Sequence, residues 1–280
     1  MSVKQRTLKS EFSLNGKGLH TGKQVTATFK PAEENFGYRI RRMDLEGSPE
    51  IPALAEYVKL MDRASCLEKD GVCVFTMEHA MAALYGCGID NCLIELSGED
   101  FPILDGSAKY YVEEIEKVGF EEQKADRRYF TVKEQMEFCS EDGQTKITLL
   151  PDTDYNINLV VAYDSPYLQM QYATYSEKVT DFAKEIAPCR TFVFLRELEM
   201  LLQHNLIKGG DLDNAIVIVD REISQEEVNR LAKLFNHDSI EVKQGILNNL
   251  DLYFDNEPAR HKLLDVIGDL SLCGRFIKGR

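Results

Sequence analysis

The sequence predicts an α+β protein made of two similar halves, and three observations carry that reading. Short strand-like runs dominate each half and are followed by a late helix. Each late helix begins with a charged residue beside a histidine, Glu78-His79 in one and Arg260-His261 in the other, then meets a glycine and a further strand. Between the halves, residues 121–128 are polar, charged and without periodicity, as in a linker. Two domains, 1–122 and 129–280, are therefore expected. If the halves are duplicated and face each other, their late helices meet.

In the first half, residues 24–30 alternate Val25, Ala27 and Phe29 with polar residues, as a half-buried strand does. Before it, Gly16-Lys17-Gly18-Leu19-His20-Thr21-Gly22 lacks the GK[ST] and GxGxxG phosphate signatures and reads as a hairpin turn. Residues 38–42 form a strand with three arginines, expected to be solvated or to face a substrate. An apolar strand at 72–75 runs into Thr76, a suitable N-cap, and a helix that ends at Gly86. Glu78 sits in its first turn, where the helix dipole favours the ionised form. His79 points about a quarter turn away. The pair can supply one base and one metal ligand, in a pattern distinct from HExxH. A strand at 92–96, a turn at 101–108 and an amphipathic helix at 110–118, ended by Gly119, complete this half.

The second half opens with strands at 129–132, 145–150 and 156–163, with Asp142-Gly143 marking a hairpin turn. A short helical piece at 182–186 precedes residues 189–194. The helix at 195–203 carries Leu195, Leu198, Leu201 and Leu202. A loop at 209–214 leads to a buried strand at 215–219. Ser224-Gln225-Glu226-Glu227 is a capping box that opens a helix to Phe235. A strand at 273–278 closes the chain.

The most informative stretch is the helix at 257–270. Pro258 suits its first turn. Leu263, Leu264, Ile267 and Leu270 point to extensive burial, while His261, Asp265 and Asp269 recur every four residues on one face. Three ionisable groups on a buried helix are costly without a partner. A divalent cation is one such partner. Taken alone, this helix also fits an ion pair or a solvated face. Meeting of the two late helices would gather His79, His261 and Asp265, with Glu78 beside them.

Composition narrows the function classes. A formal charge of −14 disfavours broad nucleic-acid or acidic-membrane binding. The seven cysteines are scattered, without a CxxC pair. Most lie beside apolar residues and are expected to be buried free thiols in a reducing cytoplasm. The N-terminus lacks the apolar core of a signal peptide, and no run approaches the ~20 apolar residues that span a bilayer.

Several motifs together resemble one family. They are Lys4-Gln5-Arg6-Thr7-Leu8, Gly18-Leu19-His20-Thr21-Gly22, Thr76-Met77-Glu78-His79, the run from Pro102 to Ala108, Arg190-Thr191-Phe192 and the run from Arg260 to Leu270. The sequence resembles the zinc-dependent UDP-3-O-acyl-N-acetylglucosamine deacetylases of lipid A biosynthesis along essentially its whole length. The resemblance implies two α+β domains of one plan, with helices sandwiched between the sheets. It implies a zinc ion held by His79, His261 and Asp265, and Glu78 as general base on zinc-bound water. The attack falls on the acetamide carbonyl, with the Thr191 hydroxyl steadying the oxyanion and acetate leaving. Lys262 is expected to bind the substrate's polar head, and Asp269 to support the site. Phe192, Phe194, Leu195, Leu198 and Val217 fall where the family places an apolar passage for the acyl chain; plain core packing is their alternative.

Two departures from the family pattern stand out. The family continues past the position of Arg280 with a strand and a helix bearing a Gly-His pair, which His20, His204 and His237 do not match. A truncated chain that keeps zinc but turns over poorly is the resulting expectation, as is fusion to a hydroxyacyl-carrier-protein dehydratase beyond residue 280. The span 221–249 is longer than usual and is expected to be a surface insertion. Another metal-dependent sugar amidase, or a non-catalytic form, is the competing functional reading.

Overall fold

A computed structural model describes residues 2–61, 64–163, 165, 168, 170–203, 208–234, 240–243, 245–247 and 250–280. His204 and His237 lie outside them. The architecture is mixed α/β, with several small sheets and, among the described residues, six α-helices: α1 (Glu78–Gly86), α2 (Lys109–Val118), α3 (Phe182–Glu185), α4 (Leu195–Gln203), α5 (Gln225–Leu234) and α6 (Glu257–Ser271).

The largest sheet has five strands, in the order Phe12–Lys17, Gln24–Pro31, Cys92–Leu96, Tyr38–Arg42 and Glu50–Pro52. Its period-2 pattern sends Val25, Ala27 and Phe29 inward with Ile40, Ile94 and Leu96. These pack against α1 and α2; Phe29 meets Tyr111 of α2 edge-on at 5.8 Å between ring centroids. The turn at 16–22 is a hairpin, as its glycine pattern suggests. The arginines at 38–42 differ from expectation. Arg41 pairs with Glu50 and Glu95, and Arg42 is buried, bound to Asp44 and to the Cys73 carbonyl.

A three-stranded meander, Val58–Met61, Ala64–Lys69 and Val72–Phe75, feeds α1. The segment that reads as an unpatterned linker is instead largely a strand, Phe120–Asp126, antiparallel to Lys4–Leu8. Its side chains are mostly solvated, so it carries no apolar alternation to read.

In the second half, Tyr129–Thr131 runs parallel to Phe276–Lys278, and Met136–Cys139 forms a hairpin with Lys146–Leu149 through Gly143. Asn156–Val161 pairs with Gln171–Ser176. A four-stranded sheet is ordered Phe192–Phe194, Ile216–Ile218, Ile246–Leu247 and Val242–Lys243. The span 221–249 contributes to this unit rather than decorating it. Val228, Leu231 and Ala232 of α5, together with Leu247, are buried against Leu195, Leu198, Val217 and Val219. Ser224 accepts the Glu227 N–H, the N-cap half of a capping box, while the Glu227 carboxylate accepts from Arg221.

One apolar core passes through both halves, from Phe29, Met81 and Leu84 to Tyr155, Tyr175, Leu263, Leu264 and Ile267. At its centre α1 lies against α6. Residues 79–85 of α1 are all buried, and Ala80, Ala82 and Ala83 permit close approach. On α6, Gly268 faces the Glu78 carbonyl so closely that a Cβ there would fall 2.2 Å from the oxygen. All seven cysteines are free, but only Cys66, Cys92 and Cys189 are buried; Cys139 and Cys273 are exposed. Among the described residues no helix is long and apolar enough to cross a membrane.

Candidate metal centre

The crossing of α1 and α6 brings His79 and His261 edge to face, with ring centroids 5.0 Å apart. Asp265 stands one turn after His261, which puts both on the same face of α6. Its Oδ1 lies 3.4 Å from His261 Nε2 and 3.8 Å from His79 Nε2. One ligand atom from each residue lies within 4.8 Å of the others. Tetrahedral donors about 2.0–2.2 Å from one ion stand at comparable separations.

Electrostatics favours a cation at this point. Burial disfavours the imidazolium forms, lowering His79 and bringing His261 down to about 4. His261 Nδ1 lies 3.0 Å from the buried Cys189 carbonyl, which fixes Nδ1 as the N–H and turns the Nε2 lone pair toward Asp265. Burial also acts against the Asp265 charge, but the facing His261 ring and the Lys262 ammonium outweigh it and hold the carboxyl below its ordinary value. Lys262 Nζ donates to Asp265 Oδ2 at 3.1 Å. Oδ1 is buried and, among the described residues, has no hydrogen-bond donor. The His261 lone pair, the His79 ring nitrogen and an orphaned carboxylate oxygen therefore converge, an arrangement a divalent ion would satisfy.

Glu78 is half-buried at the first position of α1. Burial first, and then the Asp265 charge, push its carboxyl up to about 7. Asp269 is also pushed up to about 7, by desolvation and then by Asp265 and Glu78, although the side chain keeps an open face to solvent. Thr191 is held through both of its backbone groups: its N–H donates to Gly106 O at 2.8 Å and its carbonyl accepts from Ile216 N at 2.8 Å. Lys262 is half-exposed, with its ammonium 5.7 Å from the centre of the Phe192 ring.

The apolar residues singled out in the sequence divide between two faces of the four-stranded sheet. Phe192 and Phe194 pack with Tyr163, Ile216 and Ile218. Phe192 lies on the side of the His79–His261–Asp265 cluster, 6.5 Å from the His261 ring. Leu195, Leu198 and Val217 belong to the core under α5. They do not share a lining with the two phenylalanines. Ile216 and Ile218, missed in the sequence, were signalled by their alternation with Val217 and Val219. Thr76 does not cap α1; its hydroxyl donates instead to Asp100.

Comparison with known proteins gives the arrangement a lineage. A family profile described as "LpxC: UDP-3-O-acyl N-acetylglycosamine deacetylase" matches residues 5–238 and 234–280. The chain belongs to the LpxC family. It is similar to the UDP-3-O-acyl-N-acetylglucosamine deacetylases of Marinobacter nauticus (38% identity; 99% of this chain and 84% of the relative) and Myxococcus xanthus (40%; 99% and 81%). It is also similar to a Bacteroides thetaiotaomicron protein named bifunctional enzyme LpxC/FabZ (53%; 99% and 60%). The chain thus spans about 60% of the length of this bifunctional LpxC-family relative.

Proposed function

We propose that this LpxC-family chain is a zinc-dependent amidohydrolase that removes acetate from UDP-3-O-acyl-N-acetylglucosamine in lipid A biosynthesis. The observation that carries the reading is the convergence of His79 Nε2, His261 Nε2 and the donor-free Asp265 Oδ1 at the crossing of α1 and α6. These three residues would hold the ion, and the seat left by a three-ligand set suits a catalytic zinc. When bound, zinc supplies a Lewis acid and lowers the pKa of water towards ~7.

The chain's own residues divide the remaining work. Glu78, beside His79 at the start of α1, accepts the proton of the attacking water as general base. The Thr191 hydroxyl, on a backbone pinned to Gly106 and Ile216, steadies the negative charge that develops on the carbonyl oxygen. Lys262 meets the polar head of the substrate, and Asp269 supports the cluster one turn further along α6. Phe192 and Phe194, with Ile216 and Ile218, form the apolar side on which the acyl chain lies. Domains at 1–122 and 129–280 complete the proposal, their late helices meeting at the metal. Seven free cysteines favour a reducing, cytoplasmic setting, and the bifunctional relatives favour attachment to a second enzyme domain.

Metal analysis and acetate release test the proposal together. Near-stoichiometric zinc is expected in the parent chain and should be lost in His79→Ala and Asp265→Ala. Glu78→Gln should keep its zinc and lose roughly 10²–10⁴-fold in rate. Unchanged metal content in both ligand variants would exclude this site.

A further inference from the structure

We propose that Asp100, acting through Thr76, is a positioning residue that sets the aim of Glu78 at the start of α1. The inference rests on the reading of Glu78 as the base. Thr76 joins the strand Val72–Phe75 to α1 and has φ +56°. That left-handed conformation is strained for a β-branched residue and persists only where the surroundings impose it.

The surroundings that impose it centre on one carboxylate. Thr76 Oγ1 donates to Asp100 Oδ1 at 2.6 Å, and both residues are almost wholly buried. Asp100 Oδ2 accepts the backbone N–H groups of His20 at 2.7 Å and Thr21 at 3.2 Å. The carboxylate is itself immobilised. Phe75 N donates to Glu99 O at 2.8 Å and Phe101 N to Phe75 O at 3.1 Å, so the segment that carries Asp100 is tied by an isolated bridge to the strand leading into α1. The turn closes tightly over it: a Cβ at Gly18 would lie 2.6 Å from Asp100 Oδ2.

The consequence falls on Glu78, two residues downstream. Among the described residues no side chain caps α1: Met77 occupies its N-cap position, and the Thr76 hydroxyl just before it is committed to Asp100. The direction in which the helix leaves the strand is therefore set by the backbone of Thr76. Relaxation to negative φ would swing the first turn and displace the Glu78 carboxyl from the metal cluster. Glycine would take this conformation with little strain. Threonine bound to a buried carboxylate instead ties the start of α1 to the His20 turn.

Amide exchange at residues 77–80 of the metal-free full chain reads the effect without turnover. Zinc content and the kcat–KM split for UDP-3-O-acyl-N-acetylglucosamine read it in the loaded protein. T76V and D100A should speed exchange there and lower kcat roughly tenfold to a hundredfold, as misplacement of a reacting group by ~1 Å does. KM and zinc stoichiometry should change little. T76S, which keeps the hydroxyl, should restore both readouts. On an E78Q background D100A should add little, because both act through one group. If D100A does not fold, T76V carries the test. Unchanged exchange and kcat in T76V and D100A, beside an inactive E78Q, would overturn this inference alone. A fully active E78Q would overturn the base assignment and this inference with it.

Discussion

Gly268→Ala is the most discriminating single change at the helix crossing, because two effects of opposite sign meet there. In an unobstructed helix interior, alanine in place of glycine stabilises by up to ~1 kcal/mol. Here the new Cβ would lie 2.2 Å from the Glu78 carbonyl oxygen and 3.0 Å from its carbon. An ordinary carbon–oxygen contact is about 3.3 Å. The two helices must therefore part by about 1 Å, since backbone cannot rotate away as a side chain can. Overpacking of this kind costs roughly 1–3 kcal/mol. The same displacement separates His79 from His261 and Asp265, whereas metal sites tolerate errors of only about 0.2 Å. Disturbed ligand orientation lowers metal affinity roughly 10–100-fold. Chemical denaturation of the metal-free protein and competition with a zinc chelator measure the two effects. Gly86→Ala, at the other end of α1, is the control: its Cβ would meet the Phe182 ring, a side chain, 2.4 Å from Cδ1. It should cost stability without changing zinc affinity. A Gly268→Ala protein as stable as the parent, with the parent's zinc affinity, would refute the idea that this contact sets the ligand geometry.

Three further outcomes are expected. In the metal-free protein the His261 ring should stay neutral down to about pH 4, because burial opposes its charge; an NMR midpoint near 6.5 would contradict this. The unfolded chain then takes up that proton first as pH falls, so His261 contributes stability above about pH 6.5 that is lost toward pH 4. Glu78, raised from its ordinary value to about 7, works in the opposite sense and loses its contribution as pH rises through 7. Glu257→Gln should destabilise by roughly 3–5 kcal/mol in urea unfolding, since it leaves a buried guanidinium uncompensated. Glu257 is fully buried and accepts Arg190 N, Nε and Nη2 and Tyr253 N; a loss below ~1 kcal/mol would show the pair to be dispensable. At pH 8 a thiol reagent should label the exposed Cys139 at least tenfold faster than Cys66, Cys87 or Cys189, whose thiols burial pushes up to about 11, 12 and 12. Equal rates at all four would mean that the native core opens readily.

Local pattern made the convergence of His79, His261 and Asp265 and most elements legible. Histidine and aspartate four apart on a leucine-rich helix, and Glu78-His79 after an apolar strand, can be read within a dozen residues. The misreadings share one physical origin, a partner distant in the chain. Thr76 has the chemistry of a cap, but Asp100 claims its hydroxyl. Arg42 looks solvated until the Cys73 carbonyl, 31 residues further on, closes over it. Residues 120–126 show no alternation because their strand buries almost nothing, and only its pairing with Lys4–Leu8 reveals it. The apolar candidates were all buried or half-buried, yet burial could not tell which face of the sheet each occupies. Alternation could: Ile216 and Ile218 go with Phe192 and Phe194, and Val217 goes with the core beneath α5.

The same logic explains why the cluster tolerates so much charge. Glu78, Asp265 and Asp269 stand together with one nearby ammonium, Lys262, and two imidazoles that burial keeps neutral. Without a cation, Glu78 and Asp269 retain protons near neutrality, which lessens the repulsion around Asp265. A divalent ion at the three ligands would reverse that balance, lowering both carboxyls and making Glu78 a base at a lower pH. Zinc titrated into the chain near pH 7 should therefore release protons from Glu78 and Asp269 rather than from the histidines. Glu78→Gln should then reduce the calorimetrically measured release. Release of the same number of protons from the variant would place their source elsewhere and remove the electrostatic link between Glu78 and the three proposed ligands.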